Sequence, residues 1–393
     1  MHQRAALPIV IGSYCSVAWA LGWGAEVHRA VTRIAIEQLP PDRPVWLMTP
    51  EAIEAIAFQA NQPDRWRGWP SRTLKHENDP EHFLDAEQLE PFGLTLASVP
   101  RLRREYIRVM AAAKAMHPER MEPYDAGKDP AGAQEWPGFL LHAIAEHYAK
   151  LQAALNQVRI LERVDDPSRG VELAQARQVA IYHLGALSHF IADAAQPLHT
   201  TRHYNGWIGE NPVGYRWRDR FHAYIDEGWA RTHRVDDAAL RTAAQPAVAV
   251  RADDPWEDVL AYFERSHKLV APLYALERDG ELDGPRGKAM LIERLGDAVR
   301  MLKSLTWAAY ESAAPTDEQV ERWLHYDDRG PRAASQPAAL RHGKTQTPET
   351  GAGEGTPVTC GSVMGTRSWH SAPRTAISAA SRYAPGRSKS SVR

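Results

Sequence analysis

A chain of 393 residues, 44% hydrophobic and 24% charged, is long enough for one large domain or two ordinary ones and has the apolar fraction of a globular fold. Its formal charge of −2 excludes a whole-molecule field for nucleic acid or a membrane surface, so any phosphate recognition has to be local. The informative excesses are 17 His and 13 Trp, which suit a metal site and large aromatic surfaces, most of the tryptophans being expected in the core.

Taken in chain order, residues 1–22 read as an export signal that would place the protein in the periplasm or outside the cell. Arg4 supplies a weak positive start, residues 5–18 are mostly apolar, and small residues follow. The stretch is too short and too broken for a membrane span. Ala20-Leu21-Gly22 fits a cleavage pattern, and a cut after Gly22 would make Trp23 the first residue; a cut after Ala20 is equally legible. Cys15 lies inside this segment. Only Cys360 then remains, so no intramolecular disulfide can form, and stability in an oxidising compartment must come from core packing or bound metal.

Residues 26–39 carry apolar side chains at 27, 30, 31, 34 and 35, a helical stripe ended by Pro40-Pro41. Thr49-Pro50-Glu51 is a cap followed by proline at the first helical position, and it opens a helix to about Ala60. Helical patterns follow over roughly 98–116, 138–160, 171–195, 217–231, 255–276 and 288–313. Sustained strand alternation is absent. The expectation is an all-α fold, a single multi-helix domain over 23–327, with long loops at 61–97 and 197–216 of the length that is usually functional. From 328 to 393 the chain turns to Gly, Pro, Ser, Thr and Ala. A segment of that composition cannot bury enough surface to offset its ordering entropy, so a disordered basic tail is expected, with ten Lys plus Arg against two Glu from Arg329 onward.

Within the helical stretch, His189 and Asp193 stand four apart. With about 3.6 residues per turn they share a face and can jointly hold one ion. Pro197 then breaks the helix and His199 follows directly. A second His–Asp pair at the same spacing, His222 and Asp226, lies on a separate helical pattern. Further upstream come Trp23-Gly24 with His28, then Pro63-Asp64-Arg65-Trp66-Arg67, and then His82-Phe83-Leu84-Asp85. Imidazole and carboxylate ligands without thiolate suit Zn²⁺ in catalytic rather than closed structural sites. His76 and Glu77 compete with His82 for the ligand assignment. His82 is preferred for its His-Phe-x-Asp context. His142, His147 and His183 fall off these faces and are read as packing or surface residues.

In this order and spacing the motifs resemble the zinc-dependent phospholipase C and single-strand-specific nuclease superfamily, α-helical hydrolases with three zinc ions in a cleft. The HxxxDxxQPLH run from His189 to His199 is the specific part, and the ordered set spans residues 23–226. Carried over residue by residue, the resemblance implies that Asp64, His82, His189 and Asp193 hold one zinc and that His199, His222 and Asp226 hold a second. A third zinc would sit on His28 and on the free amino group and carbonyl of Trp23, with Asp193 bridging to it. It further implies phosphodiester hydrolysis by metal-activated water, with Asp64 and Asp193 at the catalytic centre and Arg67 neutralising phosphate charge. Phe83 and Asp85 resemble the family's base pocket, against the alternative that Phe83 is core and Asp85 a supporting carboxylate.

Arg67, the short Trp23-to-His28 spacing and Asp rather than Glu at 226 lean to the nuclease branch. The family's Gly-Gly-Asn loop is replaced by Tyr204-Asn205-Gly206-Trp207 and Gly209-Glu210-Asn211. The expectation is therefore an exported endonuclease on single-stranded DNA or RNA with nucleotidase activity, needing no obligate protein partner. Its rivals are a phospholipase C acting on phospholipid headgroups and a non-catalytic zinc-binding protein.

Overall fold

One helix is apolar on every side over its second half, and the rest of the molecule is arranged around it. The computed structural model describes residues 24–326; the signal segment, Trp23 and the tail at 328–393 lie outside the described residues. Helices in chain order are α1 (Ala25–Glu37), α2 (Pro50–Gln59), α3 (Gln62–Arg67), α4 (Arg72–Asn78), α5 (Arg103–Met116), α6 (Leu140–Val164) and α7 (Gly170–Ala195). They continue with α8 (Phe221–Ala223), a π turn (Tyr224–Gly228), α9 (Trp229–His233), α10 (Asp237–Ala243), α11 (Trp256–His267), α12 (Val270–Arg278), α13 (Pro285–Ser312) and α14 (Asp317–Leu324). No strand forms among the described residues, so the fold is all-α.

The central helix is α7, which packs against α6, α13, α2, α1 and α11. Every residue from 184 to 195 is buried, as expected of a helix without a polar face. The exceptions in that run are Ser188, His189 and Asp193, and a buried polar group is costly unless partnered. The hydroxyls of Ser188 and Thr32, on α1, hydrogen-bond each other at 2.6 Å. His189 and Asp193 are treated below.

Gly185 sets how closely α2 approaches α7. A Cβ there would lie 2.3 Å from Gln59 Cβ and 2.7 Å from the Ile56 carbonyl. The end of α2 is thereby brought down onto the turn that carries His189. Gly185→Ala is expected to destabilise by about 1–3 kcal/mol through overpacking, despite alanine's better helix propensity. Chemical denaturation measures this, and an unchanged or raised midpoint would show that the two helices can part without cost.

Several boundaries differ from the sequence expectation for identifiable reasons. The expected loop at 61–97 contains α3, α4 and short 3-10 turns, each too brief to show periodicity. α4 is started by the Ser71 hydroxyl accepting from the Leu74 amide. The expected helix 217–231 begins only at Phe221, because Arg220 stands in the left-handed region at φ 53° and turns the chain. The expected helix 255–276 is two, α11 and α12, and α10 and α14 escaped notice because each is under three turns. The tryptophans depart further. Among the described residues only Trp229 and Trp256 are buried, and the others are half-buried or exposed.

Candidate metal centre

His189 and Asp193 project from the last turns of α7 into a gap closed by three other segments. α1 brings His28, the N-terminal turn of α3 brings Asp64, and a 3-10 turn at Asp79–His82 brings His82. Asp193 is the hub. Its Oδ2 lies 3.1 Å from His82 Nδ1 and 3.2 Å from His189 Nε2, while Oδ1 faces His28 Nε2 at 3.5 Å. Asp64 adds Oδ1 at 3.8 Å from His82 Nδ1 and Oδ2 at 4.0 Å from His28 Nε2.

The second group forms where α7 stops. Gln196 leaves the helix with extended backbone, as a residue before proline does, and Pro197–Thr200 curl into a 3-10 turn that swings His199 inward. Left-handed Arg220 then starts the α8, π-turn and α9 segment, whose Phe221, Ile225 and Trp229 are buried in the core. One residue on from two of these, His222 and Asp226 share the opposite side. Asp226 Oδ2 is 3.3 Å from His222 Nε2 and its Oδ1 is 3.5 Å from His199 Nε2. The sequence suggested an α-helical pair, but Asp226 sits in the π turn, a distortion frequent at functional sites.

Three sets of ligand atoms therefore converge among the described residues: His28, Asp64 and His189; His82, His189 and Asp193; and His199, His222 and Asp226. The last matches the expected second ion in full. The first differs from expectation in drawing Asp64 towards His28 as well as His82. Ligand atoms about 2.0–2.1 Å from a tetrahedral zinc stand about 3.3 Å apart, and the closest pairs here, at 3.1–3.5 Å, have that spacing.

Tautomers strengthen the fit. A carbonyl can only accept, so His189 Nδ1 must donate to Ala60 O at 2.8 Å and His199 Nδ1 to His82 O at 2.7 Å. In the neutral ring each Nε2 is then a lone pair aimed at a carboxylate oxygen, that of His189 at Asp193 and that of His199 at Asp226. Two acceptors that close repel unless a proton or a cation lies between them. The orientation of a ligand imidazole by a carbonyl on its other nitrogen is the usual support of metal sites. Among the described residues the buried Nε2 of His222 has no hydrogen-bond partner, though Asp226 Oδ2 lies 3.3 Å away.

The electrostatics point the same way. Burial raises the Asp193 carboxyl, but the imidazoles of His189 and His199 outweigh it and hold the group well below the usual carboxylate range. Burial lowers His199, yet the carboxylates of Asp193 and Asp226 lift it to about 9. His28 is pushed down to about 4, first by burial and then by His189, which leaves it neutral and able to ligate. The three carboxylates of the cluster are thus held ionised, the form that binds cations. Buried imidazole and carboxylate groups of this kind can hold metal ions.

Gln196 supports the second group without belonging to it. Buried, it donates from Nε2 to Asp226 Oδ1 at 2.9 Å and accepts from the Leu198 amide. Gln196→Ala frees the Asp226 carboxylate to rotate and is expected to weaken metal binding at that group by about 10–100-fold. Isothermal titration of the metal-stripped protein reads this as the loss of one class of sites, the rest keeping their affinity.

Beside the metal ligands opens a cavity of about 310 Å³ lined by Arg67, Phe83, Asp85, Trp136, Tyr204 and His222 among others. Its floor is strapped in place: Leu84 N donates to His199 O, Asp85 N to Pro137 O, and Leu140 N to Phe83 O. Gly138, at φ 112°, is required here because a Cβ would lie 2.2 Å from the Phe83 carbonyl. Asp85 is 9% exposed. Among the described residues its carboxylate makes no hydrogen bond or ion pair, and burial, followed by Glu87, pushes it up to about 7. The half-buried Phe83 contributes its ring to the same cavity, contrary to a pure core role. Arg67 stands at the rim, 47% exposed, with Nη1 3.8 Å from Asp64 Oδ1.

The remaining histidines are placed elsewhere. His76 is exposed and bonded to Ala131 O, far in role from the buried His82. His142 is core, held by Pro100 O and stacked on Tyr106. His147 and His183, on α6 and α7, face each other at 3.2 Å. Trp23, expected to supply the third ion with its amine, lies outside the described residues. Sequence reasoning overlooked Trp136 and Arg202 as cavity residues, and named Tyr204 only as part of the substituted loop. No short motif marks them, since the fold alone joins them to Phe83. Compared with known proteins, the chain matches no family model and no curated protein.

Proposed function

We propose that this protein is a zinc-dependent phosphodiesterase, exported from the cell, that cleaves single-stranded nucleic acid. The carrying observation is Asp193, whose two oxygens are shared among three imidazoles from three different segments. A carboxylate in that position would be open to more than one cation, and clustered cations suit phosphoryl transfer. His82, His189 and Asp193, with Asp64, would hold one ion; His199, His222 and Asp226 a second; and His28, with Asp193, a third. When bound, such ions polarise phosphoryl oxygens and make water acidic enough to supply a nucleophile near neutral pH.

The chain's own side chains supply the rest. Arg67, beside Asp64 and on the cavity rim, would pair with a non-bridging phosphate oxygen. Phe83 would offer its face to a base, and Asp85, without a hydrogen-bond or ion-pair partner among the described residues, would bond the base edge. With its carboxyl pushed up to about 7, Asp85 can donate in its protonated form as well as accept.

A phospholipase C reading keeps the metals and replaces the base with a lipid headgroup. One observation favours it: Ile208 and Val213, in the loop beside the cavity, are apolar and exposed. Release of acid-soluble nucleotides from denatured DNA or RNA, set against diacylglycerol release from phosphatidylcholine, separates the two. Nucleotides alone are the expected result. Diacylglycerol alone overturns the nuclease reading, and neither product would leave a zinc-binding protein without hydrolysis.

A further inference from the structure

Two segments beside the candidate centre share an unusual make-up. Residues 65–76 read RWRGWPSRTLKH, with four Lys or Arg, two Trp and no acid, and residues 216–220 read RWRDR. The first is carried by α3 and α4; the second runs into α8. Arg67 from the first and Tyr204 and His222 from the side of the second line one cavity, while Arg65 lines the adjoining one with His28 and Asp64. In a chain whose overall charge is −2, these are local basic walls, the first giving Arg65 and Arg67 to the two cavities and the second running in sequence into the cavity residue His222.

Four of their cations are open to a phosphate partner among the described residues. Arg65, Arg72, Arg216 and Arg220 are exposed and make no ion pair among the described residues, Arg65 resting only over the ring of Phe58. Asp219, the one acid in the second segment, accepts from the Arg220 backbone amide. Arg218 is the exception that fixes this wall, held by Glu277 and Asp283 and stacked over Tyr224. Each wall also presents a tryptophan to solvent, Trp69 at 66% and Trp217 at 39%. Trp217 is seated against Gly206, where a Cβ would come within 2.8 Å of its Nε1, so it is a rigid platform rather than a loose side chain.

Resting on the nuclease reading above, we propose that these two walls form a track for the flanking nucleotides of a single strand, with Arg65, Arg72, Arg216 and Arg220 on phosphates and Trp69 and Trp217 on bases. Unpaired cations alternating with exposed aromatic faces are the composition of sequence-tolerant single-strand grooves. A duplex would not serve, since its bases are not available for stacking. The track makes the enzyme prefer polymers over short substrates.

The test compares the wild-type protein with Arg65→Gln/Arg72→Gln/Arg216→Gln/Arg220→Gln and, separately, Trp69→Ala, on denatured DNA and on a dinucleoside monophosphate. The charge variant should raise KM for the polymer at least tenfold with kcat unchanged and leave dinucleotide kinetics alone. Its dependence of log KM on log salt should be shallower by about 0.7 for each phosphate that is no longer neutralised. Trp69→Ala should weaken polymer binding roughly tenfold without altering the salt slope. Unchanged polymer KM and slope in an active charge variant would overturn the track and leave the nuclease reading standing. Failure of the wild-type protein to cut either substrate would overturn both. A charge variant that no longer binds phosphatidylglycerol vesicles, with polymer KM intact, would assign the walls to a membrane surface instead and overturn the proposal.

Discussion

Replacing Asp193 by Asn is expected to remove hydrolysis and metal together. The carboxylate sits within 3.1–3.5 Å of His82, His189 and His28. An amide of the same shape would carry no charge and would replace one ligating oxygen with an N–H₂ that cannot bind a cation. Three buried imidazoles would lose their common counter-charge. The group of His199, His222 and Asp226 keeps its closest ligands, so metal analysis should fall from close to three ions per chain to about one. Activity should fall by more than the about 10–100-fold that follows loss of a merely supporting partner. Elemental analysis and turnover measured on the same preparation check this, with circular dichroism to show that the helices persist. A wild-type content near one ion would defeat the trinuclear arrangement, and an unchanged turnover in the variant would remove Asp193 from the site.

How far this centre could be seen in the sequence depended on how local each signal was. His189 with Asp193 and His222 with Asp226 are four apart, so helical geometry alone makes each a pair, and both pairs do meet in space. Pro197 announced the break that swings His199 inward, because proline restricts the residue before it. The long helices were legible for the same reason, being long enough for their apolar stripes to repeat. Other features rest on contacts between distant segments. Nothing in the sequence says that Ala60 O would fix the tautomer of His189, or that His82 O would fix that of His199. Those carbonyls matter only once α2 is drawn against Gly185 and the 80–85 segment is strapped to residues 137–140 and His199. The π turn around Asp226 was equally hidden, since an i, i+4 pair looks alike in α and π geometry at this length. Half-buried tryptophans were misjudged as core because composition counts their rings and not the surfaces they face.

Removing metal is the second experiment with a large expected effect, and it concerns stability more than activity. Without a cation, His189 Nε2 and Asp193 Oδ2 stand 3.2 Å apart and His199 Nε2 and Asp226 Oδ1 3.5 Å apart, acceptor against acceptor unless the imidazoles take up protons. These groups lie at the junction of α1, α3, α7 and the π turn, so a cation there joins segments far apart in the chain. An ion that binds only the folded state stabilises it by about 4 kcal/mol at a thousandfold excess over its Kd. At roughly 2 °C per kcal/mol for a domain of this size, one site accounts for a shift in Tm of about 8 °C, and further sites add to it. Exhaustive treatment with a chelator should therefore lower Tm by at least that amount. Zinc should restore it and magnesium should not, because magnesium prefers all-oxygen octahedral sites. The increment should also shrink as pH falls, since each imidazole must lose its proton to ligate and acid competes with the metal. A Tm indifferent to the chelator at neutral pH would mean that these imidazoles and carboxylates hold the helices together by hydrogen bonding alone.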